Sequence, residues 1–244
     1  NIFIMKKSIL FLVACAFQFG MTQTNHTVED YPLRAMNVVL NTFGMDNPIP
    51  IGTISNSGEL DFKFPKDLNF ITDEIKANYM SDTAFTLFSK CDNSYDILSE
   101  DKNGKAVNAG YISLSSTDNP YAGLIFMVTD EALVPWLEDT YSNNAVTGSY
   151  FELVYIVSDF NYQGECTSTV SNTEKDTIET SYTYDLELKA GFNFVEYKIE
   201  SVLEHAVPSM YEEGVFDNIM KPSTITVSST QSVPPTSKWI GKYF

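Results

Sequence analysis

The sequence predicts an all-β protein, mainly an antiparallel β-sandwich, with one or two short connector helices. Three observations carry that expectation. Apolar and polar residues alternate with a period of two in several stretches, above all in SYTYDLELKAGFNFVEYKIES at 181–201. The 17 phenylalanines and 14 tyrosines fall mostly in short alternating runs, which favours strands over helices. Turn residues such as Asn56-Ser57-Gly58 and Asn103-Gly104 punctuate those runs, and helical spacing is scarce.

In chain order the first element is an export signal. Met5 is the expected start of translation, with residues 1–4 as upstream read-through. Lys6 and Lys7 then precede the apolar run Ile9 to Phe19, the layout of a signal peptide over residues 1–22. That run is too short to cross a bilayer as a helix, so no transmembrane span is expected. Gly20 and Thr22 suit cleavage before Gln23. LVAC at 12–15 offers a second reading, a lipobox in which Cys15 becomes a lipidated N-terminus and a lipid anchor. Both readings place the protein outside the cytoplasm, in the periplasm, the extracellular space or on the outer surface of a bacterium. Residues 23–244 read as one β-sandwich domain, with a split near 66–82 into a small N-terminal subdomain and a larger sandwich as the alternative.

Arg34 to Phe43 has a β-branched, strand-like centre. In IGTISNSGELDFKFP, Leu60, Phe62 and Phe64 point one way and Glu59, Asp61 and Lys63 the other, until Pro65 removes a ladder donor. Leu68, Ile71, Ile75 and Tyr79 recur at three- and four-residue spacing, which predicts a helix after Pro65. Thr83 to Cys91, Asn108 to Ser116 and the doubly apolar Leu124 to Val128 read as strands. A second short helix is expected in TDEALVPWLEDTY, capped by Thr129 or Asp130 and anchored by Trp136. Gly148 to Phe160 is the strongest single strand, and the polar interval Thr167 to Ser181 reads as an exposed loop.

The 181–201 stretch reads as a hairpin with two registers open. A two-residue Ala190-Gly191 loop pairs Leu186 with Val195 and Tyr184 with Tyr197. A three-residue loop with Gly191 in the left-handed position pairs Leu188 with Phe192 and Leu186 with Phe194. Downstream, one strand is expected at Ile225 to Val227, and Trp239, Tyr243 and Phe244 are apolar enough to dock the terminus.

The formal charge of −17 becomes −19 once residues 1–22 are removed, because they carry two lysines and no acid. Such a surface repels nucleic acid and anionic lipid. The acids keep an exported protein soluble, and calcium is the one cofactor they could recruit. Asp101, Asn103 and Gly104 resemble part of a calcium loop, although Lys102 and Lys105 intrude and an Asn103-Gly104 turn fits better. Cys91 and Cys166 remain after export, and an oxidising compartment favours a disulfide between them.

Catalytic chemistry finds little to stand on. His26 lies near the mature N-terminus, where disorder is the default, and His205 reads as a structural side chain. No nucleophile elbow, zinc helix, phosphate loop or EF-hand loop is present. Tyr121 in NPYAG and Phe160 and Tyr162 in DFNYQG could present rings to sugars, against the simpler reading that they cap the sandwich ends.

The GTISNSGELDFKFP ribbon resembles a hairpin common in prealbumin-like and other Ig-like domains of exported bacterial proteins. SYFELVYIVSDFNYQGEC followed by YDLELKAGFNFVEYKI is similar to uncharacterised secreted or lipid-anchored bacterial proteins, many from Bacteroidetes, with Phe192 where their turn usually carries tryptophan. The resemblance covers about half of the mature chain, implies export and a prealbumin-like or Ig-like sandwich, and transfers no catalytic residue. The leading functional expectation is an exported, non-enzymatic binding or cell-envelope interaction module whose partner is a glycan or an envelope protein. A carbohydrate-active hydrolase using a carboxylate pair and a structural surface or adhesion subunit are the alternatives.

Overall fold

In a computed structural model, residues 26–92, 97, 104–171, 177–209 and 214–244 are described. The segment read as a signal peptide, Cys15, Asp101 and Asn103 lie outside the described residues. The first strands are β1 (His26–Thr27), β2 (Met36–Leu40), β3 (Ile49–Ile54) and β4 (Glu59–Phe62). Helix α1 (Asp73–Tyr79), β5 (Ser81–Asp82) and α2 (Thr83–Phe88) follow, then β6 (Lys105–Gly110), β7 (Ile112–Ser115) and β8 (Gly123–Val128). A 3-10 turn at Glu131–Leu133 leads into α3 (Val134–Glu138). The rest is β9 (Gly148–Ile156), β10 (Phe160–Ser171), β11 (Thr177–Leu188), β12 (Gly191–Pro208), β13 (Phe216–Thr230) and β14 (Lys238–Tyr243). The protein is all-β with short connector helices.

Among the described residues these strands hydrogen-bond into one 14-stranded sheet with the main order β1-β4-β3-β2-β7-β8-β9-β12-β13-β11-β10. Every strand pair is antiparallel except β11 with β13. Sandwich packing arises because the middle of the sheet is covered on both faces. Tyr150, Val154 and Ile156 of β9 enter one apolar core, whereas Phe151 and Leu153 enter another. Strands β8 and β12 divide their side chains in the same way, with Phe126 and Tyr197 on one face and Ile125 and Phe194 on the other. Residues from β2, β3, β4, β7 and β14, including the 2% exposed Trp239, complete the second core. Strands β10, β11 and β13 with α2 and α3 complete the first.

The Cys91–Cys166 disulfide forms, with Cα atoms 5.6 Å apart, and ties the end of the α2 segment to β10. Next to it, the Asp92 N–H donates to Thr167 O, and Asp92 Oδ1 accepts from the Thr169 N–H. These two bonds occupy part of the outer edge of β10, whose other side pairs with β11.

Several elements differ from expectation. Thr83 to Cys91 begins as helix α2 instead of a strand, because Thr83, Ala84, Leu87 and Phe88 bury at helical spacing. Helix α1 is shorter than expected. Thr72 caps it by accepting from the Ile75 N–H, and Leu68 and Ile71 are buried in the non-helical segment before it. The polar interval at 167–181 contributes to β10 and β11, which pair from Phe160↔Leu188 to Ser171↔Thr177. Residue His26 sits in β1, its ring 4.5 Å from Trp239. The second helix matches its cap, since Asp130 accepts from the Ala132 N–H.

The largest departure concerns 181–201. Strands β11 and β12 flank a bend at 189–190, yet they do not pair with each other. Strand β13 lies between them, parallel to β11 through Tyr184↔Val227 and antiparallel to β12 through Tyr197↔Val227. Both expected hairpin registers are therefore replaced by pairing to β13, which also extends far beyond the expected Ile225 to Val227. The bend is held from outside. Asp159 accepts from the Ala190 N–H at 2.9 Å and pairs with Lys189 at 3.3 Å, while Asn193 accepts from the Lys189 N–H.

Two outcomes follow from these ties. Reducing the disulfide, which closes a separation of 75 residues, removes about 4 kcal/mol of stability and lowers Tm by about 8–16 °C. Calorimetry of Cys91→Ala/Cys166→Ala against the oxidised protein measures it, and an unchanged Tm contradicts the assignment. Asp159 has its pKa lowered by the Ala190 N–H and then by Lys189. Its stabilising effect is present above the unfolded value of 3.8 and is lost as pH falls through the lower folded value. The Tm deficit of Asp159→Ala should shrink on acidification, whereas a pH-independent deficit excludes a role for the charge.

Candidate functional site: a polar groove and a pocket where the sheet forks

Two of the concave sites in the described residues, a groove over the N-terminal strands and a pocket beside β9, combine polar groups with apolar walls. The larger is an open groove of about 830 Å³ across β4, β3, β2 and β7. Cross-strand register places Asp61 opposite Thr53, Thr53 opposite Asn37, and Asn37 opposite Ser115. All four line the groove. With strands about 4.8 Å apart, this polar row runs roughly 14 Å. Alternation explains its composition, since the neighbouring Ile54 and Leu60 point into the core.

Loops raise the groove walls. Arg34, the single arginine of the sequence, donates to Asp118 at 2.9 Å across the groove. Its own segment is fixed by Tyr31, whose hydroxyl donates to Arg34 O, and by Asn56, whose Oδ1 accepts from the Ala35 N–H. Ser55 accepts from the Ser57 and Glu59 N–H groups and shapes the turn below. Next to the groove-lining Thr53, Gly52 pairs with Val38 where the β2–β3 register shifts. A Cβ there would sit 2.2 Å from Asp61 O, and the backbone adopts φ +153°.

The second site is smaller and more apolar, a pocket of about 300 Å³. It lies where the sheet divides. One edge of β9 is shared by two strands, β6 pairing with Leu153 to Ile156 and β8 touching only through Val128↔Tyr150. Phe151 and Glu152 sit between those two attachments. A register shift between Asn108 and Gly110 turns β6 away, with Gly110 at φ +69° and its N–H donating to Asn108 Oδ1. Ile112, Met127 and Phe151 supply apolar wall, and Tyr111, Asn108 and Glu152 supply polar groups. The Asn108 amide donates to Glu152 at 3.2 Å, and the Tyr111 hydroxyl donates to Leu137 O. Burial, then Glu152 and Glu138, raise the Tyr111 pKa. Burial first and Glu152 second also raise Tyr150 and Tyr197 well above the ordinary value. Negative potential therefore reaches into this region.

The residues singled out from the sequence occupy neither site. Tyr121 stacks on Phe244 with ring centroids 5.1 Å apart. Phe160 and Tyr162 are half-buried against Phe88, at 6.2 and 4.5 Å. The rings thus pack in two groups, Tyr121 with Phe244 and Phe160 and Tyr162 with Phe88. His205 lies on β12 opposite Ile219. Among the described residues, no group of three His, Cys, Asp or Glu side chains could hold a metal ion. Asp139 and Asp159 are carboxyls with shifted pKa values, and both shifts are downward, the first through hydrogen bonds from Ser142. Both are thus held as carboxylates, the opposite of a general acid. Sequence reading overlooked the groove because its row joins four strands whose pairing no local pattern reveals. The Glu152 pocket left one signal, a lone acid within the strong strand Phe151 to Val157.

Compared with models of protein families, with curated proteins and with solved structures, the chain matches none.

The close approach of the β4 backbone makes Gly52 a sensitive position. Gly52→Ala should lower stability by roughly 2–3 kcal/mol, from backbone strain and the displaced β4 carbonyl. Urea denaturation measures the loss, and a change within a few tenths of a kcal/mol contradicts the close approach.

Proposed function

We propose that the protein is an exported, non-enzymatic binding module of the bacterial cell envelope and that its groove takes a neutral glycan. The row Ser115, Asn37, Thr53 and Asp61 carries this reading. Hydroxyl and amide groups both donate and accept, and a carboxylate accepts from paired donors, so the row suits a ligand that repeats hydroxyl groups along its length. Its length of roughly 14 Å matches an extended chain better than a compact small molecule. Arg34 and Asp118 offset each other in charge, which removes the preference for an anionic ligand that an unpaired arginine would create.

Non-enzymatic binding agrees with the lack of linear catalytic motifs. The test is a thermal-shift screen of residues 23–244 against soluble neutral and acidic glycans. A neutral glycan at ten times its Kd should stabilise by about 1.4 kcal/mol, or roughly 3–6 °C. Asn37→Ala with Asp61→Asn should abolish that shift while leaving the unliganded Tm within about 2 °C. Stabilisation that survives the double substitution places binding elsewhere, and turnover of the glycan replaces this reading with a hydrolase.

A further inference from the structure

The pocket at the sheet fork differs from the groove in chemistry, and its polar group lacks a natural counterpart. Half-buried Glu152 lines a pocket with mostly apolar walls and accepts a hydrogen bond from the neutral Asn108 amide. Among the described residues, no ion pair involves Glu152. An ionised carboxylate offers about four acceptor positions, so most of its capacity remains for a ligand.

The walls define the rest of the ligand. Ile112, Met127 and Phe151 offer apolar contact, and the Tyr111 ring lines the same space. Tyr111 is fixed at both ends, by its hydroxyl bond to Leu137 O and by packing on Phe126 at 5.0 Å. An aromatic face beside a carboxylate attracts an ammonium group through the ring quadrupole as well as through charge. The acidic chain as a whole, at −17, concentrates cations near its surface and repels anions. A volume of about 300 Å³ lies at the small end of ligand pockets.

We propose that the fork pocket binds a small organic ammonium ion, an apolar alkyl or aryl body with its cationic head on Glu152. The apolar body fills the gap between β6 and β8, and the head replaces water around the carboxylate. This site is independent of the groove and of the glycan reading.

The test is a two-dimensional amide NMR titration of the full exported chain with benzylammonium chloride and, separately, with the neutral benzyl alcohol. Benzylammonium should give saturable shifts centred on Gly110, Tyr111, Met127 and Phe151, and bind at least about tenfold more tightly than benzyl alcohol. Glu152→Gln should reduce benzylammonium affinity by about tenfold and leave that for benzyl alcohol unchanged. Equal affinity for the two probes overturns the proposal, as do shifts centred elsewhere or none that saturate. The comparison of probes on the unsubstituted protein needs no variant to fold. A glycan that binds in the groove should leave the benzylammonium titration unchanged, so failure at one site does not imply failure at the other.

Discussion

Both faces of strand β9 are largely buried, and the rest of the structure depends on that constraint. Its side chains alternate between two apolar cores, so each neighbouring layer must supply a complementary surface. The N-terminal ribbons and β14 close one side, and the long C-terminal strands with α2 and α3 close the other. Buried Trp239 and the disulfide belong to opposite cores, Trp239 on β14 beside the central β8 and the disulfide joining the end of the α2 segment to the outermost strand β10. A polar substitution at Leu153 or Val154 would leave an unsatisfied group in one of the two cores.

The two concave sites arise in different ways. The groove occupies the outward face of strands whose other face is buried, so its polarity is the natural complement of the core. The smaller pocket exists because β6 and β8 cannot both follow β9 along the same edge. A bulge at Asn108 and Gly110 steers one strand away, and the space left open admits a carboxylate that a continuous ladder would have crowded by neighbouring side chains. Function can be sought at such interruptions because their local cost is supported by the pairing on either side.

Much of the fold was legible from residue spacing alone. The Ile49–Phe62 ribbon, the Asp130-capped turn and the strand at 148–156 follow period, capping and turn chemistry that act within a few residues. Thr83 to Phe88 was misread because aromatic and β-branched composition outweighed the spacing of Ala84, Leu87 and Phe88. The 181–201 pattern correctly marked two strands, but alternation reports which face is buried and says nothing about which strand lies alongside. The candidate site suffered most from this limit. Asn37, Thr53, Asp61 and Ser115 are ordinary outward residues until register aligns them, whereas Tyr121, Phe160 and Tyr162 drew attention through composition and pack on other rings.

The strand that separates β11 from β12 imposes an order of events on the growing chain. A chain delivered N-terminus first presents residues 177–208 before Phe216–Thr230 has emerged. At that stage the local partner for β11 is β12, joined to it by a short bend, and loop closure favours such near neighbours. The native arrangement requires the later strand to take its place between them, making contacts that span more than forty positions, as Ser181↔Thr224 does. The interaction that looks most natural along the sequence is therefore a competitor on the way to the finished sheet. Asp159, outside both strands, and Asn193, at the start of β12, fix the bend between the two arms, and β13 enters between them only after both have emerged.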